Sequence, residues 1–356
     1  MIKEYGYEFD AVIDEELFNS VKDKTTNSKY QGAYCLRSGR DALKAIAREY
    51  KNALVLLPAL SCDSMVQPFS IYGHKIAFYK YDNRFRIDIV HLKQLIASDN
   101  SKYILLLYMN YFGHQSISNK SLQSLKKNYP NLIFVNDATH TFLHEDVNKR
   151  MADYVVVSIR KWIAIPDGGL LWANKELSNA IFGEDTTFYK QRLTAQVMRH
   201  NFFLTGDLDL KKEYRYIFST VSNIIDSDLN PSKMSEYSYE LLSRVDFSTL
   251  RETREKNASV LIKELSKCEN IKLIQKSTKK SNLYIPFVAS CRDEKQQLLS
   301  SNGIFNTIIW PITTNQKASC SFAAYVEENM LAISCDQRYT QEDMIFVANR
   351  ICEAFR

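Results

Sequence analysis

Three residue types near the middle of the chain can together do covalent chemistry on a bound ring: Lys161, Asp137 and His140. A lysine kept from water loses its proton readily and can attack a carbonyl carbon to form a Schiff base. An aspartate at the end of a strand can pair with a protonated ring nitrogen. Asp137 and His140 share the stretch Asn136-Asp-Ala-Thr-His140, and Lys161 closes Ser158-Ile-Arg-Lys161. Gly168-Gly169 then allows a tight turn before the apolar run Leu170-Leu-Trp-Ala173. Earlier, Ser38-Gly39-Arg40-Asp41 opens a helical pattern. A glycine at the mouth of a helix lets a phosphate approach free backbone N–H groups, aided by the dipole, and Ser38 and Arg40 could add donors. Each feature also has a plain reading. Ser-Gly before a helix is a cap, Asp137 caps a turn, His140 is a structural histidine and Lys161 a surface lysine. Their order and spacing together favour the chemical reading.

The elements that must position these residues are legible as two textures. A helix with period near 3.6 is expected over 41–50, with Leu43, Ile46, Ala47 and Tyr50 on one face. Between such stretches lie short apolar runs: Ala53–Leu57, Lys75–Tyr79, Tyr103–Leu107, Leu132–Val135 and Tyr154–Val157. Runs of this length and aliphatic content read as buried strands of a mostly parallel sheet, and their alternation with helices implies an α/β unit with helices on both faces. In such sheets ligands bind beyond the carboxyl ends of the strands. Asp137, Lys161 and the segment Pro58-Ala-Leu-Ser-Cys62 all follow apolar runs. The texture changes near residue 180. A long amphipathic helix is expected over about 247–268, strands over 283–288 and 330–334, a helix over 294–299, and a last helix opening at Thr340 with Asp343 as a capping box. The expected division is a large α/β domain, 1–232, and a small C-terminal α+β domain, 233–356.

The set resembles the fold type I enzymes that use pyridoxal 5'-phosphate (PLP), and among them the sugar aminotransferases of the DegT/DnrJ/StrS group. Ser38-Gly-Arg-Asp-Ala-Leu43 is similar to their Ser-Gly-Thr-x-Ala-Leu phosphate loop. Pro58 to Ser64 corresponds to a Pro-x-aromatic-Thr-aromatic segment, and Tyr111-Phe-Gly-His-Gln115 to a Tyr-Gly-x-Pro turn. Asn136 to His140 resembles Glu-Asp-Ala-Ala-Gln/His, and Lys161 to Gly169 a Lys…Gly-Glu-Gly-Gly segment. Ile304 to Pro311 is more loosely like a segment ending in Tyr-Pro. The resemblance spans about residues 30–350. It implies that Lys161 is the Schiff-base lysine and proton carrier and that Asp137 binds the pyridine nitrogen. It sets His140 near the phenolic oxygen, and Gly39, Arg40 and Ser158, with Ser38 beside them, at the phosphate.

Departures are also visible. Cys62 stands where the family has a ring-stacking aromatic, so the thiol packs on the ring face or another side chain stacks. Arg40 replaces the threonine of the phosphate loop and could bind phosphate, bind a substrate carboxylate or face solvent. The interval from Asp153 to Lys161 is about two residues short, and Asn230-Pro-Ser-Lys-Met234 replaces the Asn-Tyr-Arg-Met segment that reaches across the family's dimer. The implied function is transfer of an amino group from an amino acid, glutamate by the family's habit, to a keto acceptor such as a nucleotide-linked keto sugar. The alternatives are elimination, decarboxylation or transamination of a non-sugar substrate, and a non-catalytic PLP-binding paralogue.

The 356 residues are 45% hydrophobic and 24% charged, ordinary for a soluble globular protein. The net charge of +5 is spread along the chain, and its densest basic run, Lys276 to Ser281, has no interleaved aromatics, so nucleic acid is not an expected partner. No apolar stretch nears the ~20 residues of a membrane span, and the polar N-terminus has no signal-peptide core. Seven scattered cysteines without a C-x-x-C argue against a zinc site or disulfide framework and for a reducing, cytoplasmic compartment. A homodimer is expected, with the aromatic stretch Phe188 to Tyr216 as interface surface or as core. Lys190, Arg192, Arg199 and Lys233 read chiefly as solvated charge.

Overall fold

The computed structural model describes residues 2–11, 29–144, 151–275, 279 and 281–356. The apolar runs become β3 (Leu54–Pro58), β4 (Lys75–Tyr79), β5 (Ile104–Met109), β6 (Leu132–Asp137) and β7 (Tyr154–Val157). With β2 (Tyr34–Leu36) and β8 (Gly169–Ala173) they form a seven-stranded sheet in the order β2-β8-β7-β6-β5-β3-β4. The strands from β4 to β7 pair in parallel, for example Leu106 against Phe134, while β8 runs antiparallel to both β2 and β7. Every residue of β3 and β5 is buried, which is why these strands read as continuous apolar runs rather than alternating ones.

The first helix on this sheet is Gly39–Glu49, two residues earlier than periodicity alone places it. Ser38 explains the early start, because its Oγ accepts from the N–H of Asp41 and caps the first turn. The C-terminal part holds an antiparallel sheet in the order β12-β10-β9, made of β9 (Lys272–Leu273), β10 (Tyr284–Val288) and β12 (Met330–Ser334). The helices Phe247–Leu265 and Gln341–Ala354 share a second apolar core with it, and Thr340 and Asp343 form the expected capping box. The fold class is as expected: a mostly parallel α/β sheet followed by a smaller α+β part.

Two pairings lie beyond sequence pattern. β1 (Tyr5–Gly6) pairs in parallel with β11 (Ile304–Phe305), so Tyr5 packs in the second core. Cys268 and Cys352 form a disulfide, their Cα atoms 5.5 Å apart. This corrects the expectation drawn from cysteine spacing, because two helix ends far apart in sequence bring the thiols together. The other five cysteines are free. In the aromatic stretch, Phe188, Phe202 and Tyr214 are core, whereas Leu204, Leu208 and Tyr216 are exposed. Lys276 to Ser281 falls outside the described residues except for Lys279 and Ser281. No described helix is long and apolar enough to cross a membrane.

Candidate active site

The carboxyl ends of β2, β3, β5, β6 and β7 open onto one cavity. Ser38, Gly39, Arg40, Cys62, Asp137, His140, Ser158 and Lys161 all line it, together with Ser64, Met109, Thr139, Arg160, Ser222 and Trp310. The eight residues singled out from sequence are thus brought together. Local structure explains the placement. Asp137 ends β6 and turns the chain by accepting the N–H of Thr139 at 2.9 Å on Oδ1. Thr139 Oγ1 in turn accepts the N–H of Ser158 at 3.0 Å, which joins the loop after β6 to the turn after β7. Ser158 opens the short 3-10 turn Ile159–Lys161, and Ile159 anchors that turn in the core with no exposed surface.

The helix opening lies against this turn. A Cβ added at Gly39 would sit 3.3 Å from Cβ of Ser158. One at Gly169 would lie 2.2 Å from the carbonyl of Ser38, so only glycine lets β8 approach the loop. Below the loop, Arg37 is buried and pairs with Asp41 (2.7 Å), Asp185 (2.7 Å) and Asp228 (3.0 Å). These bonds fix the helix start to the segment that runs from 183 to 232. The first N–H groups of a helix have no partner within it, and Ser38 satisfies only that of Asp41. The Ser38 hydroxyl is committed to Asp41. Arg40 neither faces open solvent nor stands alone: its guanidinium is bound by Asp226.

His140 is buried, and its Nδ1 accepts the N–H of Phe112 at 3.2 Å. Burial, with the charge of Lys161 behind it, drives the ring down to about 3, so it is neutral at pH 7. Its Nε2 therefore carries the proton and meets no acceptor among the described residues. Phe112 reaches this position through a left-handed turn, φ 50°, in the Tyr111–Gly113 segment. Cys62 lies 2.9 Å from Ser64 Oγ and is half-buried.

Sequence reasoning missed Trp310 and Arg160. The Trp310 ring stands 5.8 Å from His140 and 6.0 Å from Tyr111, and adds an aromatic wall to a site that has Cys62 in place of one. Trp310-Pro311 at the end of the loosely matching Tyr-Pro segment was the available signal. Arg192 and Arg199 are buried rather than solvated, because Glu8 and Glu4 neutralise them at 2.7 Å and 3.4 Å. Burial works to raise Glu8, but Arg192 and Arg160 overcome it and hold the carboxyl down to about 2. Arg160 itself is lowered to about 10 by burial and by repulsion from Arg192.

The seven-stranded sheet with one reversed strand, followed by a smaller α+β part, is the fold of the type I PLP-dependent transferases. Solved structures share it over 91–99% of the chain. The Helicobacter pylori aminotransferase PseC, involved in pseudoaminic acid biosynthesis, superposes with a TM-score of 0.67 at 17% identity, covering 99% of each chain. A DegT DnrJ EryC1 StrS aminotransferase from Brucella abortus gives 0.62 at 13%, over 91% of this chain and 86% of its own. A Streptococcus pneumoniae protein solved in a PLP form gives 0.68 at 13%, over 99% and 98%. At these identities the likeness is one of fold. No protein-family model and no curated sequence matches the chain.

Proposed function

We propose that the protein is a PLP-dependent aminotransferase that attaches its cofactor through Lys161. The observation that carries this reading is the convergence of Lys161, Asp137, His140, Gly39 and Ser158 on one cavity. The residues fit the group. His140 offers a buried, unpartnered Nε2 donor to a phenolic oxygen. Gly39, free of a Cβ, leaves room for a phosphate at the helix mouth. Asp137 commits one carboxylate oxygen to Thr139 and has a second to give to a ring nitrogen. The S. pneumoniae neighbour, solved in both a PLP and a pyridoxamine phosphate form, supports the same choice.

When bound, PLP supplies an electron sink conjugated to the substrate's nitrogen. The side chains do the rest. The carboxylate of Asp137 keeps a proton on the ring nitrogen. His140, neutral and fixed by Phe112, donates a hydrogen bond without adding charge. The Lys161 amine would hold the cofactor and would serve as the general base and acid that carries the proton during transfer. Ser158 and the helix opening at Gly39 would hold the phosphate, with Ser38 capping the helix and Arg40 held beside it by Asp226, and Cys62, which lines the cavity, would pack against the ring. The amino donor is an amino acid such as glutamate, and the acceptor a small keto compound. PseC's part in pseudoaminic acid biosynthesis supports a nucleotide-linked keto sugar.

We further propose a cytoplasmic homodimer that divides at about residue 232, each part having its own sheet. The pairing of β1 with β11 attaches the first residues to the second part. Only one pair among the seven cysteines is bridged, which supports a reducing compartment, and the exposed Leu204, Leu208 and Tyr216 offer dimer surface. Reduction with borohydride should fix the cofactor to the peptide that contains Lys161, and glutamate should convert the bound cofactor to its amine form. A protein that takes up no PLP overturns the reading. One that binds PLP but gives no amine form with any amino acid is an eliminating, decarboxylating or non-catalytic relative instead.

A further inference from the structure

Arg160 precedes Lys161 in the turn that Ser158 opens, and it lines the same cavity. Only 19% of its side chain is exposed, and its Nε is buried with no hydrogen-bond partner among the described residues. Its ion pair with Glu8 is long, 3.7 Å from Nη1, while the same carboxylate stands 2.7 Å from Arg192. One carboxylate thus serves two arginines, and the nearer one takes the larger share. Arg40 is the third arginine of the group, and Asp226 satisfies it. That burial and repulsion from Arg192 and Arg40 lower Arg160 to about 10 agrees with a guanidinium short of negative charge. A buried charged donor left unpaired costs more than a neutral one, so the position is favourable only when an anion completes it.

The chemistry of the cofactor says which anion. In pyridoxal phosphate the carbon bearing the phosphate arm is the ring neighbour of the carbon bearing the aldehyde. The other ring neighbour of the aldehyde-bearing carbon carries the phenolic oxygen, the side assigned to His140, which leaves the phosphate side to the turn Ser158–Lys161. The ring nitrogen, which belongs to Asp137, lies across the ring from the aldehyde carbon. Ser158 and Gly39, whose Cβ positions would be 3.3 Å apart, line the cavity together with Arg160. We propose that Arg160 binds the cofactor's phosphate through its unpartnered Nε, as the charged member of a cradle otherwise made of Ser158 and the opening of the helix at Gly39. This rests on the reading of Lys161 as the cofactor lysine.

The test strips the purified protein of cofactor and titrates it with PLP and, separately, with pyridoxal, which lacks the phosphate. Absorbance and tryptophan fluorescence report binding. Arg160→Gln is expected to weaken PLP roughly tenfold to a hundredfold, the range of a lost charged hydrogen bond, and to leave pyridoxal unchanged. Arg160→Lys keeps the charge but not the planar fork, and should fall between. Equal losses for PLP and pyridoxal would mean that Arg160 supports the fold and not the phosphate. An unchanged PLP to pyridoxal ratio with weaker binding of glutarate to the PLP-loaded protein would assign Arg160 to a substrate carboxylate and overturn the proposal. If Arg160→Gln does not fold by circular dichroism, Arg160→Lys alone decides, and an undiminished ratio in it is fatal. Failure of the unaltered protein to bind PLP at all refutes the Lys161 reading first, and is thereby told apart.

Discussion

The main-chain N–H of Phe112 donates to Nδ1 of His140 at 3.2 Å, and this bond decides which ring nitrogen carries the proton. The Nε2 proton is thereby aimed at the cavity by a backbone turn that lies in another loop. The pairing also fixes the pH behaviour of the site. Free in an unfolded chain, a histidine titrates near 6.5; in the folded protein His140 titrates at about 3. Between those values the unfolded chain binds a proton that the folded one refuses, so stability falls as pH drops through this window. Urea unfolding at pH 5 should show a loss of about 2 kcal/mol from this group relative to pH 7, and His140→Gln should remove that part of the pH dependence.

Glu8 acts in a lower window and through the opposite ionisation. Its carboxyl moves from 4.5 to about 2 on folding, so its contribution is complete above 4.5 and vanishes as pH falls to about 2. The gap corresponds to about 3 kcal/mol. Glu8→Gln should lower stability at neutral pH by about that amount and flatten the acid limb between about pH 5 and 2. A denaturation series across these pH values, run beside His140→Gln, separates the two windows.

Gly169→Ala tests the packing under the loop at Ser38 and Gly39. The added methyl meets the Ser38 carbonyl at 2.2 Å, and backbone cannot yield as a flexible side chain does. The pairing of Leu36 with Gly169 must open, at about 1–3 kcal/mol. Because the shift displaces Ser38 and Gly39, cofactor retention should fall with thermal stability. A variant that loses neither would show that β8 and the loop are not coupled.

The site was legible to the extent that its residues follow strands. Asp137, Ser158 and Lys161 sit at strand ends, and a buried parallel strand advertises itself as an apolar run with a polar stop. Gly39 was legible because a helix must be capped. Trp310 was not, since it comes from a loop of the C-terminal part that only tertiary packing brings over His140. Arg192 read as surface charge and Arg160 drew no reading, because their counter-ion, Glu8, lies in a segment whose neighbours cannot be inferred from pattern. The Cys268–Cys352 disulfide escaped for the same reason, as helix packing and not spacing decides it.

The pairing of Tyr5 with Ile304 joins the first residues of the sequence to its C-terminal part by a strand two residues long. Such a contact closes a very long loop for few hydrogen bonds, and ranks among the last to form and the first to open. Glu8 follows that strand by two residues and pairs with Arg160 and Arg192. In native-state hydrogen exchange the amides of Tyr5 and Phe305 should exchange well before those of β5 and β6. Each such opening leaves two arginines momentarily without their shared carboxylate, so the positive field at the cavity would rise and fall with the fraying of one short strand.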